Sequence, residues 1–239
     1  MQLSQQIANW IKEQVKKAGK KGIILGLSGG IDSSVCGALS KMAADSNVLG
    51  LLLPCESVSE DIECAREVAK KFNIETREIP LDGIYESITA VKPDTGQLAK
   101  ANIKPRLRMT MLYYFANSMD FLVIGTGNKS EATIGYFTKY GDGGADILPL
   151  GNLLKSEVKK LARELGVPER IINRVPSAGL WQGQTDEGEM GMTYDELDKA
   201  ILAIEKKKTE NIDPKKLVKV KGMIRCSEHK RCGIPVFGK

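Results

Sequence analysis

Histidine is almost missing from this 239-residue chain, which carries one, His229. A Ser-His-Asp hydrolase needs that residue as its base and a histidine-rich metal centre needs several, so both classes are disfavoured. A disulfide framework is also missing. The five cysteines are an odd number at irregular spacing, which suits free thiols in a reducing compartment. There is no run of about 18 apolar residues, so no transmembrane helix is expected. The first 19 residues lack the apolar core of a signal peptide. The net charge of +5 is concentrated toward the end, with eleven Lys or Arg and three Asp or Glu from Lys206 to Lys239. No recognisable motif or interleaved aromatics accompany that charge, so it reads first as a solvated basic face, next as an attractor of small anions, and only last as a nucleic-acid surface. The expectation is a cytoplasmic protein without membrane or nucleic-acid partners.

What the chain does have is enough apolar material for a sizeable core, 42% of its residues, read as a single domain over 1–239. Residues 22–27 (GIILGL), 48–53 (VLGLLL) and 121–125 (FLVIG) read as buried strands, and 74–79 as a third, more polar strand in chain order. Helical periods cover Asp32 to Ala44, Val58 to Phe72, Ile103 to Met119, Ser156 to Leu165 and Tyr194 to Lys206. Ser57 and Glu60 are placed to form a capping box at the second of these. An amphipathic helix with Leu3, Ile7, Trp10, Ile11 and Val15 on one face opens the chain. Near-continuous apolar strands alternating with helices predict an α/β fold, doubly wound around a mostly parallel sheet with helices on both faces. Ligands of such sheets bind beyond the carboxyl ends of the strands. The polar, glycine-rich stretch 126–149 is not expected to contribute a core layer, residues 176–192 read as another polar loop, and long loops of this kind tend to be functional.

One such strand end carries Gly26-Leu27-Ser28-Gly29-Gly30-Ile31-Asp32-Ser33-Ser34. Adjacent glycines allow an anion close to the backbone, a helix start supplies free N–H groups, and three serines add hydroxyls. Asp32 would repel a phosphate unless a cation intervened, and Mg²⁺ shared between carboxylates and phosphates is the usual arrangement. The alternative is that Asp32 merely caps the helix. The loop has no lysine, so it is not a Walker A motif, and it is not a dinucleotide G-x-G-x-x-G either.

The Ser-Gly-Gly-x-Asp-Ser pattern resembles the PP-loop of N-type ATP pyrophosphatases, enzymes with an adenine nucleotide alpha hydrolase-like fold that adenylate a substrate and release pyrophosphate. The stretches Asn102-Ile103-Lys104-Pro105-Arg106-Leu107-Arg108-Met109, Thr126-Gly127-Asn128-Lys129-Ser130-Glu131, Gly135 to Asp146 and Glu228-His229-Lys230-Arg231 narrow the resemblance to the NAD synthetase family, over nearly the whole chain. That resemblance implies an ammonia-dependent ligase that uses ATP and Mg²⁺ to amidate deamido-NAD through an adenylated intermediate, releasing AMP. It implies ATP contacts from Gly26, Leu27, Ser28, Gly29, Gly30, Ile31, Asp32, Ser33, Thr126, Lys155 and Ser177, and metal ligation by Asp32 and Glu131. Deamido-NAD would be met by Arg106, Lys139, Asp146, His229 and Lys230, with Lys155 and Asp146 in catalytic roles. A homodimer is implied too, for which the first helix with Trp10 and the helix Ile103 to Met119 are candidate surfaces. The chain has no room for a glutaminase domain, so free ammonia is the expected nitrogen source.

Thr126-Gly127-Asn128 stands where many ammonia-using members have Thr-Asp-His, and Ser177 stands where threonine is common, which preserves the hydroxyl. Two other readings remain: a different PP-loop ligase, such as a tRNA thiolation enzyme working through Cys55 and Cys64, and a nucleotide-binding regulator without turnover. The spacing Cys226-x-x-His229-x-x-Cys232 offers three metal ligands, one short of a structural zinc site.

Overall fold

In the computed structural model, which describes residues 1–181, 183–208, 210 and 212–238, helix α1 (Leu3–Lys17) leads into strand β1 (Gly22–Gly26), helix α2 (Ile31–Ala44), strand β2 (Val48–Leu52), helix α3 (Ser59–Lys71) and strand β3 (Glu75–Glu78). Three helices, α4 (Asp82–Ala90), α5 (Gln97–Ala101) and α6 (Ile103–Met119), precede strand β4 (Phe121–Ile124). The remainder is helical: α7 (Lys129–Ile134), α8 (Lys155–Leu165), α9 (Glu169–Ile172), α10 (Asp186–Met190), α11 (Tyr194–Glu205), α12 (Pro214–Cys226) and α13 (Glu228–Arg231). No helix among the described residues is long and apolar enough to cross a membrane.

The four strands are parallel in the order β3-β2-β1-β4. Side chains alternate across the sheet, so one strand feeds two cores. Ile23 and Leu25 of β1 face a cluster with Ile11, Val35, Leu39, Val68, Val158 and Leu161, brought by α1, α2, α3 and α8. Ile24, between them, faces the opposite cluster with Leu81, Tyr85, Met109 and Leu112, from α4 and α6. Helices therefore cover both faces, as the apolar strands predict. β3 is the exception: all four of its residues are exposed, at the open edge of the sheet. Charged side chains there discourage pairing with another chain.

Three local expectations fail, the first being that residues 176–192, read as a polar loop, hold α10 and bury Met190 and Met192 in a core cluster. The capping box at Ser57 and Glu60 does not form; Val58 is the N-cap of α3, with no side-chain cap bond. Ser57 Oγ instead accepts from the Cys55 N–H and from Arg108, while Glu60 pairs with Arg174. The polar stretch 126–149 does reach a core, because α7 lies within it. Its Ile134 packs into a third cluster with Leu154, Met190, Tyr194, Leu197, Ile201 and Val220. That cluster builds a helical layer beside the sheet, and through it Tyr194 and α8 reach the carboxyl ends of the strands.

Candidate active site

The turn after β1 is shaped by its own hydroxyls. Ser33 Oγ accepts from the Ser28 N–H at 3.2 Å and donates to the Gly30 carbonyl at 3.0 Å. Ser34 Oγ donates to the same carbonyl at 2.8 Å, and Ser28 and Ser33 oxygens lie 3.0 Å apart. Gly29 has φ +80°, and a Cβ there would stand 2.2 Å from the Asp61 carbonyl oxygen. Only glycine satisfies both the left-handed backbone and that contact. The turn opens into a cleft of about 1050 Å³ beyond the strand ends, where Gly26, Ser28, Asp32, Thr126, Ser177 and Lys155 all reach the wall.

Asp32 does not cap α2, whose N-cap is Gly30 without a side-chain bond. Its carboxylate is taken up elsewhere. Oδ2 meets Lys155 Nζ at 2.5 Å, and Oδ1 accepts from Asn128 Nδ2 at 2.9 Å. Lys155 Nζ also meets Glu131 Oε1 at 3.1 Å and stands over the Tyr194 ring, 4.9 Å from its centroid. Lys155 is 2% exposed, so its charge is out of water and must be paired. Burial alone would lower its pKa, but Asp32 and Glu131 outweigh that and hold it above the ordinary lysine range.

Glu131 feels the reverse. Burial pushes its carboxyl up, Lys155 pulls it down and Asp32 pushes it up again, leaving it at about 7. The Tyr194 hydroxyl sits 3.1 Å from Glu131 and 2.9 Å from Asp186, and burial followed by these carboxylates raises its pKa. Tyr136 adds a further bond to Asp186 at 3.2 Å and one to Glu189 at 2.5 Å.

The backbone holds these groups in place. Asn128 is fully buried and forms a capping box with Glu131, accepting from its N–H at 3.1 Å while Glu131 Oε2 accepts from the Asn128 N–H at 3.3 Å. The first residue of α8 is Lys155, whose N–H donates to Ser130 Oγ at 2.9 Å. Asp198 of α11 accepts from both Ser130 Oγ and the Ser156 N–H. Asn128, Tyr194 and Asp186 were assigned no site role from the sequence. Asn128 carried a readable signal, an Asn three residues before a Glu; the other two carried none, because their partners lie far along the chain.

Two carboxylates, Asp32 and Glu131, thus face one position, now held by the Lys155 ammonium. Hard oxygen donors of this kind suit Mg²⁺, which takes one or two carboxylates plus phosphates and water. Among the described residues no three His, Cys, Asp or Glu side chains converge as a metal cage, so Cys226, His229 and Cys232 do not form one.

The residues expected to meet a second substrate fall into two groups. Arg106, Lys139, His229 and Lys230 gather around the loop 135–142. Arg106 Nε donates to the Lys139 carbonyl, Lys139 Nζ to the His229 carbonyl at 2.6 Å, and Lys230 Nζ to the carbonyls of Gly135 and Phe137. Burial followed by Arg106 lowers the Lys230 pKa, against the pull of Asp142. Of the four, Lys230 lines the cleft. Asp146 makes up the second group. It is exposed, accepts from the Val123 N–H at 2.8 Å and from the Tyr113 hydroxyl at 2.9 Å, and closes the β4 edge rather than lining the cleft.

Cys55 and Cys64 lie in different cores, on opposite faces of the sheet. Cys64 packs behind Gly29, where a glycine Cβ would approach its own Cβ to 3.0 Å. Burial raises both thiols above their ordinary range, so neither is poised as a thiolate. A paired-cysteine thiolation chemistry has no support in this arrangement.

The model of the NAD synthase family matches residues 3–233. A curated relative, the NH(3)-dependent NAD(+) synthetase of Carboxydothermus hydrogenoformans, is 48% identical over 95% of this chain and 93% of its own length. Among solved structures, the NMN synthetase of Francisella tularensis superposes with a TM-score of 0.93 at 38% identity, covering 99% of this chain and 98% of that one. The NH3-dependent NAD synthetase from Campylobacter jejuni, in complex with the nitrate ion, does so at 0.87 and 29% identity, over the full length of both chains.

Proposed function

The chain belongs to the NAD synthase family, and from that premise we propose that it is an ammonia-dependent NAD synthetase, a ligase that forms a C–N bond with ATP. The observation that carries the chemistry is the buried Asp32–Lys155–Glu131 cluster at the mouth of the serine-glycine turn. The pyridine carboxylate of deamido-NAD attacks the α-phosphorus of ATP, and the bond to the β-phosphate breaks. Ammonia then attacks the acyl carbon, AMP departs, and a proton is released. Pyrophosphate departure gathers negative charge where the turn offers N–H groups and serine hydroxyls and Lys155 offers an ammonium. Asp32 and Glu131 would hold Mg²⁺, which supplies Lewis-acid stabilisation of the phosphates. Thr126 and Ser177, which both line the cleft, would bind ATP alongside residues 26–33. Arg106, Lys139, His229 and Lys230 would receive the anionic body of deamido-NAD. Asp146 would act through the β4 edge it closes.

Incubation with ATP, Mg²⁺, ammonium and deamido-NAD is expected to give NAD and AMP; production of ADP would refute the adenylation step. Ammonium and glutamine run separately test the nitrogen source, and ammonium alone is expected to suffice for a single catalytic unit over 1–239.

A second reading concerns the acceptor, because the structure superposing at 0.93 is named for NMN rather than NAD. Nicotinate mononucleotide has the same carboxylate and one phosphate, so it can undergo the same two steps. The ratio of kcat/KM for the two acceptors decides between them, and deamido-NAD is expected to be preferred. The chain is also expected to be a homodimer in the cytoplasm. Trp10 on α1 and Tyr114 on α6, 38% and 67% exposed, offer apolar surface for the contact. A monomer mass at micromolar concentration would refute it.

A further inference from the structure

Lys104 has no part in the chemistry above, yet it is among the most buried side chains in the molecule, 2% exposed on the first turn of α6. An ammonium at that depth must spend its donors well. One reaches Glu56 Oε2 at 2.8 Å and another the Leu180 carbonyl at 2.8 Å, while the Tyr85 ring centroid lies 5.1 Å away. Glu56 belongs to the loop 53–58 that follows β2, and Leu180 to the loop that carries Ser177. Both loops form walls of the main cleft. Behind them is a smaller cavity of about 520 Å³, and Glu56, Leu180 and Trp181 face both spaces. Lys104 thus sits in the partition between two cavities, bonded to a loop on either side.

Two further observations show that the first of these loops is held deliberately. Arg108, one helical turn beyond Lys104 and on the same face of α6, donates to the Leu53 carbonyl at 3.1 Å and to Ser57 Oγ at 3.3 Å. Between those anchors Glu56 has φ +49°, an unfavourable backbone for glutamate, with its N–H donating to Asp82 at 2.7 Å. Such a conformation persists only where the surroundings over-determine it. The Glu56 carboxylate is in turn the counter-charge that allows Lys104 to be buried.

We infer that Lys104 is a positioning residue that joins the loop 53–58 to the Ser177 loop, so that the two walls of the nucleotide end of the cleft are ordered together. Arg108 fixes only the first loop; among the described residues Lys104 is the one whose side chain bonds to both. Loss of the Glu56 contact would leave a buried ammonium short of a partner and would loosen its grip on Leu180, although Glu56 lies far from Leu180 in sequence. The inference deepens the adenylation reading only in taking Ser177 as an ATP contact.

The test is hydrogen–deuterium exchange on the ligand-free chain, followed by steady-state kinetics, for Lys104→Met, Glu56→Gln and the double variant. Glu56→Gln is the safer protein, since that side chain is 55% exposed. It is expected to speed exchange in residues 176–181 as well as in 53–58. KM for ATP is expected to rise about tenfold in either single variant, with kcat at saturation kept within about twofold, and the double variant is expected to add little. The inference is overturned if Glu56→Gln changes exchange only in its own loop, or if the variants lose thermal stability while exchange in 176–181 and KM stay as in the parent. The exchange result stands whether or not the parent makes NAD, so failure of the adenylation reading would show separately, as absence of AMP in the parent.

Discussion

The two ends of the candidate site, the turn after β1 within the cleft and the loop 135–142 whose surrounding cations meet the cleft through Lys230, are built on opposite plans. At the turn after β1, the carboxylates are already engaged by other side chains: Asp32 by Lys155 and Asn128, Glu131 by Lys155 and Tyr194, Asp186 by Tyr194 and Tyr136. Around the loop 135–142, the cations of Arg106, Lys139 and Lys230 rest on main-chain carbonyls, with no carboxylate of the described residues among their hydrogen-bond partners. A carbonyl is a weaker partner than a carboxylate for an ammonium, and can be given up to a phosphate at modest cost. The first end is set before any ligand arrives. The second presents cations whose carbonyl contacts could be exchanged for an anion, as the proposed deamido-NAD contacts require.

This contrast sets the order of effects expected from substitution. Asp32→Ala is expected to reduce the adenylation rate about 10³-fold or more with the fold intact by circular dichroism; a near-normal rate would break the claim that the first end does the chemistry. Lys155→Met is expected to lower kcat about 10²- to 10³-fold with a small change in KM for deamido-NAD. Arg106→Ala and Lys139→Ala are expected to raise KM for deamido-NAD about tenfold each and leave KM for ATP unchanged. An equal rise in both would mean that the two ends are not separable.

Tyr194→Phe is expected to cost about 1–3 kcal/mol of stability, read as a lower Tm, because Glu131 and Asp186 lose a shared buried donor. The smallest expected effect is on pH dependence. Glu131 stands at about 7 in the fold, above the ordinary value of about 4.3, so the folded chain holds a proton that the unfolded chain releases. That contribution is complete below about pH 4, and fades as pH rises through 7. Without Mg²⁺, the Tm of the parent is expected to fall over that window, and Glu131→Gln is expected to flatten the slope.

The sequence disclosed the first end better than the second. GIILGL and VLGLLL announce buried strands by apolar continuity, and the serine-glycine turn between strand and helix announces an anion cradle. The bounds of α6 are those its pattern predicts. Helix α7 escaped because six residues are too few to establish a period, and its glycine-rich surroundings argued against it. Helix α12 was readable in principle, since Asp213 caps it and Pro214 occupies its first turn, but its basic composition drew attention to charge instead. Tyr194, Lys104 and Asp186 could not be read locally: each matters through partners on other elements, and no periodicity records which loops will meet. Asp146 shows the converse, a residue whose motif suggests substrate while its carboxylate is committed to the β4 edge.

The distances along the chain within the charge cluster have a consequence for synthesis. Asp32 and Lys155 are separated by 123 positions, and Tyr194 lies 63 beyond Glu131. A nascent chain that has made β1, α2 and β2 already owns its serine-glycine turn, but it lacks the countercharge and the hydroxyl that complete the cluster until α8 and α11 have been translated and docked. On the proposed roles of Asp32, Lys155 and Glu131, such an incomplete chain would hold a nucleotide weakly and could not turn it over. A ligand that needs all three groups stabilises the finished molecule over every partial one, so ATP itself favours completion of the fold that will consume it.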